Sequence, residues 1–92
     1  MNEVTVCIPS PLRAFTEGAD ELRVPAETVA EALAAIGDRH GGFLSRVLTP
    51  EGRLRPHVNI FVGQESVKGL DGLATPLPSG AVVLIVPAVA GG

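Results

Sequence analysis

The residues with most to offer chemically stand at the end of the chain, in the stretch Pro87-Ala-Val-Ala-Gly-Gly92. Pro87 has no amide hydrogen for a sheet ladder, so the chain is expected to leave its last strand there. Ala88, Val89 and Ala90 are small and uncharged, and main-chain hydrogen bonds can hold them extended. Gly91 and Gly92 carry no Cβ, so a narrow channel in another protein can close around them. Such a segment suits delivery of the terminal carboxylate of Gly92 into a deep active site. The alternative is a frayed apolar end with no task.

The other reactive side chains are few. Cys7 is the only cysteine, which excludes an intrachain disulfide, and His40 and His57 are the only histidines. With no second ligand at metal-binding spacing beside Cys7, zinc has little support and no metal site is expected. His40 continues the apolar stripe of a helix and reads as a core-edge residue. His57 opens a strand beside Arg53 and Arg55 and reads as a solvated group. Cys7 falls on the opposite parity to Val4, Val6 and Ile8, so a thiol on the far sheet face is conceivable, but a small strand residue of ordinary reactivity is the simpler reading. Gly41-Gly42 lacks the Gly-Lys-Ser/Thr that a phosphate loop needs and reads as a helix stop.

The elements that must position the tail follow from periodicity. "VTVCIP" (4–9) alternates Val4, Val6 and Ile8, a strand with one buried face that Pro9 and Pro11 end. A loop turning at Glu17-Gly18 leads to "ELRVPA" (21–26), a shorter strand. Thr28 and Glu31 form a capping box, and Val29, Ala32, Leu33, Ile36 and His40 line one face of a helix. "FLSRVL" (43–48) predicts a further helical turn, and "TPEGRLRP" (49–56) a turn-rich excursion. "HVNIFVG" (57–63) points Val58, Ile60 and Val62 inward, and the chain then turns through Ser66. "GLDGLATPLPSG" (69–80) predicts a compact loop anchored by Leu70, Leu73 and Leu77. "AVVLIVP" (81–87) is apolar without alternation, which predicts a central strand or one covered on both faces.

The order strand, strand, helix, strand, short strand, strand predicts an α+β fold. It is a β-grasp roll, with a mixed sheet of four to five strands and one main helix across one face. The first and last strands should lie side by side at its centre. A single convincing helix is too few for the crossovers of an all-parallel α/β fold. Residues 1–87 are expected to form this domain and residues 88–92 a flexible tail.

Composition limits the partners. The chain has 92 residues, enough for one small core, a net charge of −3, and three aromatics, Phe15, Phe43 and Phe61. Both the charge and the lack of a stacking platform argue against nucleic acid. The N-terminus has no basic, apolar signal segment, and the longest apolar run is far short of the ~20 residues of a membrane span. A cytoplasmic protein is expected, without nucleic-acid or membrane partners.

"VTVCIPSPLRAFTEG", "VNIFVGQESV" and "GLATPLPSGAVVLIVPAVAGG" together resemble the ThiS/MoaD sulfur-carrier family, ubiquitin-like β-grasp proteins ending in Gly-Gly. The resemblance spans nearly the whole chain. It is strongest in "GLATPL" and "PAVAGG", and within the family it is nearest to the CysO-type carriers that serve a cysteine synthase. It implies that the chain is not an enzyme. An E1-like enzyme would adenylate the Gly92 carboxylate with ATP, and sulfur would then replace AMP to leave a thiocarboxylate. That group would attack an aminoacrylate on a pyridoxal-phosphate cysteine synthase, and a metalloprotease would release cysteine and restore the Gly-Gly end. ATP and pyridoxal phosphate belong to those partners, and this chain is expected to bind no cofactor.

The excursion "TPEGRLRPHV" is longer than in the smallest carriers, which favours the CysO or MoaD branches. A small subunit of molybdopterin synthase, a carrier for tRNA thiolation or siderophore assembly, and a ubiquitin-like modifier joined through Gly92 remain open. Residues Pro87 to Gly91 would be read by the partner along the tail. The sheet face away from the helix should meet the activating enzyme, with Phe61 as an aromatic anchor because its parity opposes Val58, Ile60 and Val62.

Overall fold

A computed structural model describes residues 2–87. The first strand, β1 (Glu3–Cys7), leads through a 3-10 turn at Ser10–Phe15 into β2 (Glu21–Pro25). Two helices follow, α1 (Val29–Arg39) and α2 (Phe43–Val47). The chain then returns as β3 (Val58–Val62), the two-residue β4 (Glu65–Ser66) and, after two short 3-10 turns, β5 (Val82–Pro87).

These strands form one mixed sheet in the order β2-β1-β5-β3-β4. The central pair, β1 and β5, is parallel, with Val6 beside Val83, and the other pairs are antiparallel. Because a parallel pair needs a long crossover, the chain uses the interval to lay α1 over one face. This is the β-grasp arrangement, with the first and last strands at the centre as their composition predicts.

The core lies between that face and α1. Val4 and Val6 on β1, Val24 on β2, Val58 and Ile60 on β3, and Val83 and Ile85 on β5 are all buried. Val29, Ala32, Leu33 and Ile36 of α1 pack onto them, and Phe43 and Val47 of α2 close one end. The expected inward parity of β3 holds, with Val62 half-buried where the hairpin turns.

The start of α1 is built as the capping box predicts, with one difference. Thr28 Oγ1 accepts from the Glu31 amide at 3.2 Å, but the Glu31 carboxylate accepts from the Glu27 amide at 2.8 Å, one residue before the cap. The stop differs more. The helix ends at Arg39 with His40 extended, and the left-handed residue is Gly42 (φ 88°), which leads into α2. A Cβ there would meet Phe15 Cδ1 at 3.3 Å, so the glycine serves the approach of the 3-10 turn as well as the bend.

The loop before β5 is held differently from expectation. Leu77 is buried and Leu73 half-buried, but Leu70 is 40% exposed and anchors nothing. Its place is taken by the buried Thr75, whose hydroxyl donates to Gly72 O at 2.7 Å and accepts from the Asp71 amide at 3.1 Å. The Thr75 carbonyl accepts from the Val29 amide, and the Leu77 amide donates to Glu27 O at 2.8 Å. The loop is therefore stitched to the first turn of α1 by polar groups that hydrophobic pattern does not register.

Candidate functional site: the bare sheet face and the root of the tail

The strand β5 is central, but its second face is open. Val83 and Ile85 are buried, whereas Val82, Leu84 and Val86 are 48%, 41% and 38% exposed. An all-apolar strand is explained in most sheets by cover on both sides. Here the one main helix covers one side only, so three branched aliphatic side chains in a row face outward. Scattered exposed apolar residues are ordinary on a protein surface, but a contiguous row at the centre of a sheet is a candidate contact surface.

The strand register assembles the rest of this face. Phe61 stands opposite Leu84, Asn59 opposite Val86, Cys7 beside Leu84, and Thr5 beside Val82. Phe61 is half-buried and lies on the outer side, as its parity predicts. Glu21 and Arg23, the partners of Cys7 and Thr5 on β2, form a charged margin on one side. On the other side a shallow hollow of about 260 Å3 is lined by Phe61, Val86, Asn59, Val58, Pro56, His57 and Lys68. Ser66 donates its hydroxyl to Asn59 Oδ1 at 3.0 Å and accepts from the Lys68 amide at 3.2 Å, which fixes the turn carrying Lys68 beside the hollow.

The tail leaves from the end of this face. Pro87 is the last residue of β5 and pairs with Val58, so the chain departs next to the start of β3. The expected recognition segment Ala88, Val89, Ala90, Gly91 and the expected reactive Gly92 lie outside the described residues.

The other reactive side chains are placed as non-catalytic groups. Cys7 is half-buried, and its thiol is pushed above the ordinary value by burial, then by the nearby carboxylates of Glu21 and Asp20. A thiol held protonated in this way is a poor nucleophile. His40 caps the end of α1 through its amide to Ile36 O and is half-buried, a core-edge position. His57 is exposed. Among the described residues no three His, Cys, Asp or Glu side chains converge as metal ligands, and no helix is long and apolar enough to cross a membrane.

An apolar patch is expected on this uncovered face, but the sequence does not single out Val82, Leu84 and Val86 for it, because an unbroken apolar run carries no parity of its own. The usable signal was the count of covering elements, one helix for two sheet faces.

Comparison with known proteins supports this architecture. The sulfur carrier protein CysO of Mycobacterium tuberculosis is 37% identical over 91 residues, which cover 97% of this chain and 98% of that protein. Small archaeal modifier protein 3 of Haloferax volcanii is 37% identical over 65 residues, 71% of this chain and 70% of the relative. A chain in the crystal structure of the Amycolatopsis orientalis BexX/CysO complex superposes with a TM-score of 0.91 at 36% identity, covering 97% of this chain and 99% of that one. These relatives are named as carriers and modifiers rather than as catalysts. With residues 6–92 matching the ThiS family, the chain belongs to that family of small β-grasp proteins.

Proposed function

We propose that this chain is a sulfur carrier of the CysO type, and that the Gly92 carboxylate is the group that carries the sulfur. The observation that carries the reading is the bare apolar row on β5 running into the root of a Gly-Gly tail. One strand thus joins a surface for docking to a segment for chemistry. Likeness to CysO over nearly the whole of both chains supports the same assignment.

The chemistry follows from the weakness of a carboxylate as an acyl donor. An E1-like enzyme seated on the sheet face joins the Gly92 carboxylate to the α-phosphate of ATP, releasing pyrophosphate. Sulfide equivalents supplied by the partner then displace AMP and leave a thiocarboxylate. Its sulfur is anionic and polarisable, a nucleophile tethered to a surface that partners recognise. It adds to the aminoacrylate that a pyridoxal-phosphate cysteine synthase makes from an activated serine, forming a carbon–sulfur bond. The thioester so formed shifts to an amide, and hydrolysis by a metalloprotease frees cysteine and returns Gly92. The chain contributes binding, reach and a carboxylate, and the cofactors stay with the partners.

A complex between BexX and CysO in Amycolatopsis orientalis supports a mode of action in which such a carrier assembles with another protein. To test the acceptor, the thiocarboxylate form is mixed with a cysteine synthase and its activated serine, and the carrier is weighed. The expected product weighs one cysteine residue more than the original carboxylate form, since the aminoacrylate atoms add to a sulfur already on the carrier. Sulfur that passes only to a molybdopterin precursor would move the chain to the MoaD branch.

A second reading has one observation in its favour, the likeness to small archaeal modifier protein 3. In that case the activated Gly92 forms an amide with a lysine of another protein. Higher-mass conjugates surviving denaturing electrophoresis, and lost on removal of Gly92, would identify it.

A further inference from the structure

The charge of this protein is unevenly distributed. Residues 43–57 hold Arg46, Arg53 and Arg55 against Glu51, a net +2, while the remaining residues carry nine carboxylates against four cations, a net −5. The basic stretch is α2 and the excursion to β3, on the same edge of the molecule as the root of the tail, since Val58 pairs with Pro87.

This excursion is a built structure. Leu48 and Leu54 bridge across it, the Thr49 amide donates to Arg53 O at 2.7 Å, and the Arg55 amide donates to Val47 O at 3.0 Å. Arg55 Nε donates to Ser45 O at 2.8 Å, which ties the loop to α2 and leaves the rest of the guanidinium for another acceptor. The Arg46 guanidinium is stacked 4.6 Å from the Phe15 ring centroid, which holds it near one orientation without neutralising it.

Between these elements lie two adjoining hollows that share Ser45 and Arg55. The larger, about 480 Å3, is faced by Leu44, Leu48 and Pro50. The smaller, about 270 Å3, is lined only by Ser45, Arg46, Arg55 and His57. No carboxylate lines either one. An apolar recess next to cationic side chains is complementary to an apolar side chain flanked by carboxylates.

We propose that this edge is a second docking surface, adjoining the bare sheet face at His57, and that it receives an acidic segment of a partner protein with a leucine-like residue in the larger hollow. Nucleic acid fits poorly, because the rest of the chain repels polyphosphate. A simple inorganic anion would leave the apolar recess unfilled. The surface borders the root of the tail, so a partner bound here stands where the tail emerges. The inference stands on charge and shape and does not depend on what Gly92 carries.

The test titrates the isotope-labelled full chain with acetyl-Glu-Glu-Leu-Glu-Glu-amide and follows backbone amide shifts by NMR. Saturable shifts confined to residues 44–57 are expected, and they should vanish when salt is raised from about 0.01 M to about 1 M. Combined Arg46→Glu and Arg55→Glu, at the two cations that line the hollows, should weaken binding about tenfold or more, as two reversed surface charges imply. Spectra outside the basic edge report that this variant is folded. Replacing the peptide leucine by glycine should also weaken binding, while a lysine-for-glutamate peptide should leave the amides unmoved. Equal shifts with the lysine peptide, shifts elsewhere on the molecule, no shifts at all, or the same shifts at equal affinity with inorganic phosphate would each overturn the proposal.

Discussion

Phe61 and Leu84 face each other across the β3–β5 pair on the side of the sheet that no helix covers, with Cys7 next to Leu84 on β1. An aromatic ring beside a 41%-exposed leucine is the kind of pair on which a partner concentrates its binding energy. Replacing Phe61 by Ala, or Leu84 by Arg, should weaken the activating enzyme's affinity by about tenfold or more, equivalent to roughly 1.4 kcal/mol or above. Titration calorimetry with folded variants measures this. Unchanged affinity in both would place the activating enzyme elsewhere on the chain.

The two faces of β5 should separate cleanly in stability. Ile85 is buried in the core and Leu84 is 41% exposed, although the two are neighbours of similar size. Ile85→Ala should cost about 2–5 kcal/mol in urea unfolding, and Leu84→Ala should stay below about 1 kcal/mol. Similar losses at both positions would mean that the outer face is covered in solution.

Adjacent glycines give an equally sharp contrast. Gly42 has φ 88° and faces Phe15, while nothing lies within 4 Å of a Cβ at Gly41. Gly42→Ala should therefore destabilise by about 1–2 kcal/mol, the cost of a left-handed non-glycine residue. Gly41→Ala should lie within about 0.5 kcal/mol of the parent. Equal effects would return the left-handed role to the pair as a helix stop.

Cys7 predicts a pH dependence of definite sign. Its thiol is raised above the ordinary 9.0 in the folded chain, so folding favours the protonated form. The associated stability is complete below that ordinary value and is lost as pH rises through the folded one. Between neutral pH and about pH 10 the parent should lose more stability than Cys7→Ser, read as the difference in urea midpoints. Iodoacetamide should also label the folded chain more slowly than the unfolded one near pH 8. Faster labelling of the folded chain would contradict the placement of Glu21 and Asp20 beside the thiol.

Much of the fold was legible because local and tertiary preferences agree. Val4, Val6 and Ile8 alternate where one face is buried, Thr28 and Glu31 mark where α1 begins, and two strongly apolar strands occupy the centre. What escaped the sequence depends on contacts between distant segments. Thr75 replaces Leu70 as an anchor because it satisfies backbone groups beside the start of α1, a matter of position rather than hydrophobicity. Gly42, three residues beyond the end of α1, turns the chain where Phe15 approaches it. The outer row of β5 was hidden in a run where buried and exposed residues are chemically alike. Phe61, on a strand that does alternate, could be assigned to the outer face directly.

The central claim is that Gly92 carries the sulfur, and one mass measurement tests it directly. The full chain and a chain ending at Gly91 are each incubated with the activating enzyme, ATP and a sulfide source, then weighed intact. The full chain should gain the mass of one oxygen-for-sulfur exchange, located at Gly92 by fragmentation. The shortened chain, folded with unchanged thermal unfolding, should gain nothing. Sulfur incorporated equally into the shortened chain, or found on Cys7 and absent from the C-terminus, would contradict the account.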